Sequence, residues 1–215
     1  MKAATSVVAV ILVCASLAGA IRNHQQPIEA THFDYYVLSL SWAPNYCGEH
    51  PGDHSKECQP ESHANFVLHG LWPQVTSGPP PLHCGPAHPV SSVIVRHMLE
   101  YFPSRALIQH EWQEHGVCTG LSPADYFKKV EDAFNSIKIP EEYQQLRPGK
   151  SVTITEVERN FAQANNGPPG AFRVSCHSGQ LVGVEVCLNK DLELQACTAS
   201  VRECPDSQVM IRAVK

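Results

Sequence analysis

Two short segments of the chain gather histidine, glutamate and tryptophan around a glycine. The first, HGLWPQ, begins at His69, and the second, HEWQEHGVC, begins at His110. Imidazole and carboxyl groups are the side chains that most often transfer protons in enzymes. One histidine alone is usually a surface residue or a satisfied core residue. Three histidines flanked by carboxyl groups and indoles indicate an active site instead.

The second segment can place its own side chains over one another. Helical signals cover residues 105–114, and residues four apart on a helix share one face. Glu111 then lies under His115, and His110 lies over Glu114. Glu111 is therefore a candidate to orient His115 or to raise its basicity.

A zinc site is one alternative for such a segment. The metalloprotease motif HExxH needs a second histidine at the position of Glu114, and the inverted motif HxxEH needs one at the position of Glu111. The chain also lacks the CxxC pair that is typical of structural zinc sites. We therefore favour chemistry without a metal and expect no cofactor, and a zinc hydrolase stays open as an alternative.

A pair of histidines without a metal suits general acid and base catalysis. RNA is a substrate that needs both functions, because its 2′-hydroxyl must lose a proton and the departing 5′-oxygen must gain one. The nucleophile belongs to the substrate, so the protein need not supply one. DNA lacks this hydroxyl. The hypothesis therefore predicts cleavage of single-stranded RNA and no cleavage of DNA.

The hydrophobic pattern predicts the strands that must hold these residues. Residues 33–42, FDYYVLSLSW, and residues 65–72, NFVLHGLW, both have strand composition. Gly70 and Pro73 are expected to stop the second strand, which would leave His69 near a strand end. Three further strands are predicted in the C-terminal third, at residues 172–176, 180–188 and 208–214.

Four helices are predicted between these strands, from apolar periodicity and capping residues. Residues 88–101 and 105–114 form the first two. Ser122, followed by proline, starts the third, and a capping box at Thr155 starts the fourth. The third helix has an apolar stripe formed by Tyr126, Phe127, Val130, Phe134 and Ile137. Helices packed on a mainly antiparallel sheet give an α+β fold.

The N-terminal residues have the layout of a signal peptide. Lys2 precedes an apolar run that ends in small residues, and cleavage is expected after Ala20. The run is shorter than the roughly 20 residues that span a bilayer. We therefore expect a signal peptide at residues 1–20 and one catalytic domain at residues 21–215, secreted or periplasmic, monomeric and without stable membrane association.

The cysteine count and the net charge narrow the possible functions further. Nine cysteines occur, of which eight follow the expected cleavage site, and an even number in an exported chain favours four disulfides. The formal charge of -5 excludes a protein that holds nucleic acid by net positive charge, so a local site must do so. Twelve histidines make the chain more cationic as the pH falls below about 6.5, which favours contact with a polyanion.

The segments FVLHGLWPQ and HEWQEHGVCTG resemble the two active-site segments of the ribonuclease T2 family, in the same order. FDYYVLSLSW, LSPADYF and LVGVEVCLNKDL resemble its first strand, a helix and its C-terminal hairpin, so the similarity spans most of the mature chain. The resemblance implies a disulfide-bridged α+β fold. It also implies an endoribonuclease that cuts single-stranded RNA by transesterification through a 2′,3′-cyclic phosphate.

Carried over by position, the resemblance implies the roles of the catalytic residues. His115 corresponds to the general base that takes the 2′-hydroxyl proton, and His69 to the general acid that protonates the leaving 5′-oxygen. The two exchange roles when the cyclic phosphate is hydrolysed. Glu111 corresponds to the residue that polarises or steers the centre.

Three further residues are implied in substrate binding. His110 corresponds to a phosphate contact, and Trp72 to an indole at the base-binding site, where base stacking contributes about 1 to 3 kcal/mol. Packing in the core is the alternative role for Trp72. Gln74 follows at a position where acidic or amide residues are common in the family.

Glu114 is the one clear departure from the family pattern, which usually has lysine there. That lysine is taken to stabilise negative charge on the phosphorane, so a carboxylate directed into the site would slow the reaction. Alternatively, Glu114 turns toward His110 or solvent. A ribonuclease-like fold of weakened activity, acting as an RNA-binding or signalling protein, is therefore the second hypothesis.

The pairing of the cysteines cannot be deduced from their spacing. The resemblance suggests four bridges, with the last nested inside the third: Cys84 with Cys118, Cys47 with Cys58, Cys176 with Cys204, and Cys187 with Cys197.

Overall fold

The computed structural model describes residues 31–145 and 148–214. The expected signal peptide at residues 1–20 lies outside these ranges. Within them, no helix is both long enough and apolar enough to cross a bilayer.

The described ranges form six strands and six α-helices. The strands are β1 (Tyr35–Trp42), β2 (Phe66–Gln74), β3 (Lys150–Thr153), β4 (Phe172–His177), β5 (Gln180–Leu188) and β6 (Gln208–Ile211). The helices are α1 (Ala43–Glu49), α2 (Ser92–Met98), α3 (Arg105–Glu114), α4 (Pro123–Ser136), α5 (Glu141–Gln144) and α6 (Ile154–Asn165).

All six strands belong to one sheet. β2, β1, β5, β6 and β3 lie side by side in that order, and β4 pairs with β5. The pairs are antiparallel except β5 with β6, which run parallel. The predicted α+β fold with a mainly antiparallel sheet is therefore confirmed.

β1 lies between β2 and β5 and is covered on both faces. Side chains alternate between the faces of a strand. Leu38 and Leu40 join the main hydrophobic core, whereas Tyr35 and Val37 pack in a smaller apolar cluster. The alternation continues to Ser41, which therefore lies on the face away from the main core.

β2 differs from the prediction in a way that matters for the site. The strand continues through Pro73 to Gln74, because β2 is the edge strand, where proline need not donate a ladder hydrogen bond. Ser39 pairs with Gly70 and Leu40 with Leu68, so His69 is the extra residue of a bulge. The expectation of His69 near a strand end was wrong. A bulge redirects a side chain within a strand.

Two helix boundaries also differ from the prediction, whereas α3 was predicted with its observed bounds. α2 is shorter than 88–101, because Ser91 caps it by accepting a hydrogen bond from the backbone N–H of Ile94. α6 begins after Thr153 rather than at Thr155, since the Thr153 hydroxyl accepts from the backbone N–H of Glu156. No helix was predicted at the positions of α1 or α5.

Four disulfides join the pairs that the resemblance implies: Cys47–Cys58, Cys84–Cys118, Cys176–Cys204 and Cys187–Cys197. The bridge between Cys84 and Cys118 is the one nearest the two motif segments. It fastens the loop after β2 to the short turn that follows α3.

Candidate active site

The two histidine-bearing segments meet where α3 packs against β2. Ser104 caps the start of α3 by accepting a hydrogen bond from the backbone N–H of Leu107. The helix ends at Glu114, and the backbone N–H of the next residue, His115, still donates to the carbonyl of Glu111. The side chains of Glu111 and His115 are thereby held at the C-terminal end of α3, beside the bulge of β2.

Glu111 is the fully buried acid of the site. Its Oε2 accepts a hydrogen bond of 2.8 Å from the indole N–H of Trp72, and its Oε1 lies 3.6 Å from Nε2 of His69. Burial raises the pKa of Glu111 to about 8, against the smaller opposite effect of the Trp72 hydrogen bond. The carboxyl group therefore holds a proton across the acidic range.

Gly70 makes room for this carboxyl group. A Cβ at position 70 would stand 1.8 Å from Oε2 of Glu111 and 2.7 Å from the indole nitrogen of Trp72. We expect Gly70→Ala to lower the free energy of unfolding by about 1 to 3 kcal/mol, because the added methyl overfills a packed site. Denaturant unfolding measures this. Gly85→Ala is the control, since a Cβ there has no neighbour within 4 Å among the described residues, and equal losses in both variants would contradict the steric explanation.

His69 is half-buried and has a polar neighbour at each ring nitrogen. Its Nδ1 lies 3.0 Å from Oγ of Ser41, and its Nε2 faces the carboxyl group of Glu111. Loss of solvent, with a smaller contribution from the charge of His110, lowers the pKa of His69 to about 4. Sequence reasoning missed Ser41. Its polar position in an alternating strand was visible, but the pairing of β1 with β2 was not.

The imidazole of His115 packs against an indole. Its ring lies against the indole of Trp72, with 5.2 Å between ring centroids and 31° between the planes. Burial lowers the pKa of His115 to about 3, and the charges of His110, His69 and His83 act in the same direction. The imidazole is therefore neutral above strongly acidic pH and able to accept a proton.

The indole of Trp72 contacts Glu111, His69 and His115. Besides its contact with His115 and its bond to Glu111, the indole meets the ring of His69 edge-on at 5.7 Å. Its side chain is partly exposed, so packing the site and stacking on a base are both open to it. Gln74 is buried at the end of β2, opposite Tyr35. The substrate-binding roles of Trp72 and Gln74 stay predictions.

Glu114 contacts two imidazoles at the rim of the site. Its Oε2 lies 2.7 Å from Nε2 of His83, and its Oε1 lies 3.9 Å from Nδ1 of His110. The sequence left open whether Glu114 points into the site or turns toward His110 or solvent. In the structure its carboxylate turns toward His110. His83 was not singled out from the sequence, because it lies outside both motif segments and reaches Glu114 only through the fold.

A cleft of about 480 Å³ adjoins His69 and Trp72. Residues from β1, β2, β5 and α1 form its walls, and apolar surface predominates. Glu57 and Glu185 also line it, and burial raises the pKa of each to about 7. Below neutral pH these two carboxyl groups are therefore largely protonated, whereas Asp53 in the same lining stays ionised because hydrogen bonds from Tyr46 and Ser55 lower its pKa. The largely apolar walls suit a planar organic group.

Comparison with known proteins identifies the architecture. The family model described as the ribonuclease T2 family matches residues 33–197, which include both motif segments. The chain belongs to the ribonuclease T2 family. Membership of this ribonuclease T2 family supports an RNA-cleaving endoribonuclease activity.

Individual relatives agree with this assignment. A ribonuclease of Aeromonas hydrophila is 39% identical over 48% of this chain, and the match spans 46% of that protein, or about half its length. Ribonuclease DdI of Dictyostelium discoideum is 29% identical over 92% of this chain and 90% of its own. An RNase-related protein from Calystegia sepium has a similar fold, with a TM-score of 0.68 and 20% identity over 86% of this chain and 100% of that one.

Proposed function

We propose that this chain cleaves single-stranded RNA by transesterification, with His115 as general base and His69 as general acid. The observation that carries the proposal is the pairing of two imidazoles with different surroundings on either side of one indole. His115 lies in an apolar setting that keeps it neutral, whereas His69 faces a carboxyl group that holds a proton. His115 is thus suited to take a proton from the substrate, and His69 is suited to receive a proton from Glu111 and pass it to the substrate.

The first step forms the cyclic intermediate. His115 takes the proton of the 2′-hydroxyl, the 2′-oxygen bonds to phosphorus, and the bond from phosphorus to the 5′-oxygen breaks. His69 gives its proton to that departing oxygen. In the second step the roles reverse: His69 takes a proton from water, the hydroxide opens the 2′,3′-cyclic phosphate, and His115 protonates the 2′-oxygen.

Glu111 and Ser41 prepare His69 for the acid role. The negative charge of a bound phosphodiester favours the imidazolium form, so the proton held on Glu111 moves to Nε2 of His69, 3.6 Å away. The Nδ1–H of the imidazolium then donates to the Ser41 hydroxyl. The Nε2–H, which adjoins the Glu111 carboxylate, is then the proton that His69 donates to the departing oxygen.

The substrate is held by groups around this centre. We assign a phosphate contact to His110, which is exposed at the rim, and a base contact to the open part of Trp72. The cleft beside His69 has the volume for a nucleotide next to the scissile bond. Gln74 of the HGLWPQ segment is a further proposed substrate contact, at the buried end of β2.

Export to an oxidising compartment is part of the proposal. Four disulfides support it, because such bonds persist in secreted and periplasmic proteins. A signal peptide at residues 1–20, a single catalytic domain at 21–215 and a monomeric state remain predictions.

The test is an incubation with RNA and with DNA of the same sequence, each with and without EDTA. We expect single-stranded RNA to be cleaved equally in both conditions and DNA to stay intact, because the nucleophile is the substrate's own 2′-hydroxyl. Cleavage of DNA at a comparable rate, or loss of activity on chelation, would show that the mechanism is wrong. An intact RNA would favour the weakened, RNA-binding alternative.

A further inference from the structure

The backbone at His83 is shaped to bring its ring to Glu114. Its φ angle is +52°, in the left-handed region that residues other than glycine rarely adopt. Its backbone N–H donates to the carbonyl of Glu114 at 3.0 Å, and its Nε2 lies 2.7 Å from the Glu114 carboxylate. The adjacent Cys84 is bonded to Cys118, just beyond the end of α3. An unusual backbone angle persists where the surroundings determine it.

The charges of this rim act on the catalytic groups. His83 and His110 both lower the pKa of His115, and Glu114 raises that of Glu111, so the three rim side chains lie within electrostatic range of the reaction centre. The inner groups contribute little charge of their own in the mildly acidic range, because burial favours the neutral forms of His69, His115 and Glu111. The charges of His83, His110 and Glu114 therefore dominate the electrostatic field at the reaction centre.

We propose that His83 is a positioning residue that, with His110, neutralises Glu114 and makes the rim cationic toward the RNA phosphate at mildly acidic pH. The inference rests on the proposed function and deepens it. With one imidazole protonated, the rim carries no net charge. With both protonated it carries one positive charge.

Removal of His83 leaves the Glu114 charge without this partner. An imidazole carries a positive charge only when it is protonated, so the loss is largest at acidic pH and becomes small as the pH rises. We expect His83→Ala to raise KM for RNA about tenfold at pH 5 and less than about threefold at pH 7.5. The free enzyme's affinity for an uncleavable 2′-deoxy oligonucleotide should fall in parallel at pH 5.

A double variant separates charge from structure. His83→Ala combined with Glu114→Gln restores the rim's one positive charge, so we expect KM at pH 5 to return to within about threefold of the wild-type value. A purely structural role of His83 gives no such rescue. His97→Ala is the matched control, because His97 lies 3.1 Å from Glu131 in a similar exposed pair between α2 and α4.

The outcomes are distinguishable from failure of the proposed function. A wild-type enzyme that does not cleave RNA overturns the function itself. A wild-type enzyme that cleaves RNA, with His83→Ala and His97→Ala giving the same KM at pH 5, overturns the role of His83 alone. If His83→Ala unfolds, His83→Asn decides, since asparagine tolerates a positive φ and keeps a donor but no charge. A wild-type KM in His83→Asn would also overturn the inference.

Discussion

Replacement of His69 or His115 by alanine is expected to lower kcat/KM for RNA by at least about 100-fold, the usual contribution of a positioned acid or base. Each variant removes one proton transfer, and we expect the fold to be kept because both side chains are partly exposed. Steady-state cleavage of a single-stranded RNA measures the loss. His32→Ala is the control, since His32 is exposed beside Asp34.

The pH profiles should distinguish the two histidines. In the wild type the rate rises as His115 loses its proton, near its pKa of about 3, and falls when the pair of His69 and Glu111 loses its last proton, near the Glu111 pKa of about 8. The bell is therefore centred on the acidic side of neutrality. His115→Ala should lose the acid limb, and His69→Ala the alkaline limb. Full activity in either variant would mean that the roles are assigned to the wrong residues.

Glu111→Gln should have the second-largest effect. Glutamine keeps an oxygen for the Trp72 indole N–H but cannot hold a proton for His69. The alkaline limb should then move from about 8 toward the His69 pKa of about 4. At pH 7 we expect a loss of about 100-fold in kcat/KM, shrinking at lower pH. A uniform loss at every pH would contradict the proton-holding role and leave only positioning.

The same variant should change the pH dependence of stability. The folded pKa of Glu111 is raised, so its contribution to stability is fully present below the ordinary glutamate pKa and is lost as the pH rises through about 8. Glu111→Gln removes this loss. Relative to the wild type, the variant should therefore gain stability between pH 5 and 9, as thermal unfolding at several pH values would show. Such a gain in stability would show that the kinetic loss in Glu111→Gln does not come from unfolding.

Local signals in the sequence were sufficient for much of the framework. The bounds of α3 were predicted because its apolar periodicity is local and its capping residue adjoins it. The strands β4 and β5 were likewise predicted from their local composition. The motif segments that carry His69 and His115 were found because their residue types are unusual together, whatever their surroundings.

What escaped prediction depends on contacts between distant segments. The bulge at His69 exists only in the register of β2 against β1, and Ser41 reaches His69 only through that register. The extension of β2 through Pro73 requires an edge position, which no local pattern reports. His83 meets Glu114 because a disulfide and a left-handed backbone angle return its loop to α3.

The chemical ends of the early products test the proposed transesterification most directly. A single-stranded RNA oligonucleotide is incubated briefly with the protein in EDTA, beside the same strand carrying 2′-O-methyl groups, and the products are weighed by mass spectrometry. We expect 2′,3′-cyclic phosphate ends from the RNA, converting later to 3′-phosphates, and an intact methylated strand. Products with 3′-hydroxyl ends, or cleavage of the methylated strand, would contradict attack by the 2′-hydroxyl between His69 and His115.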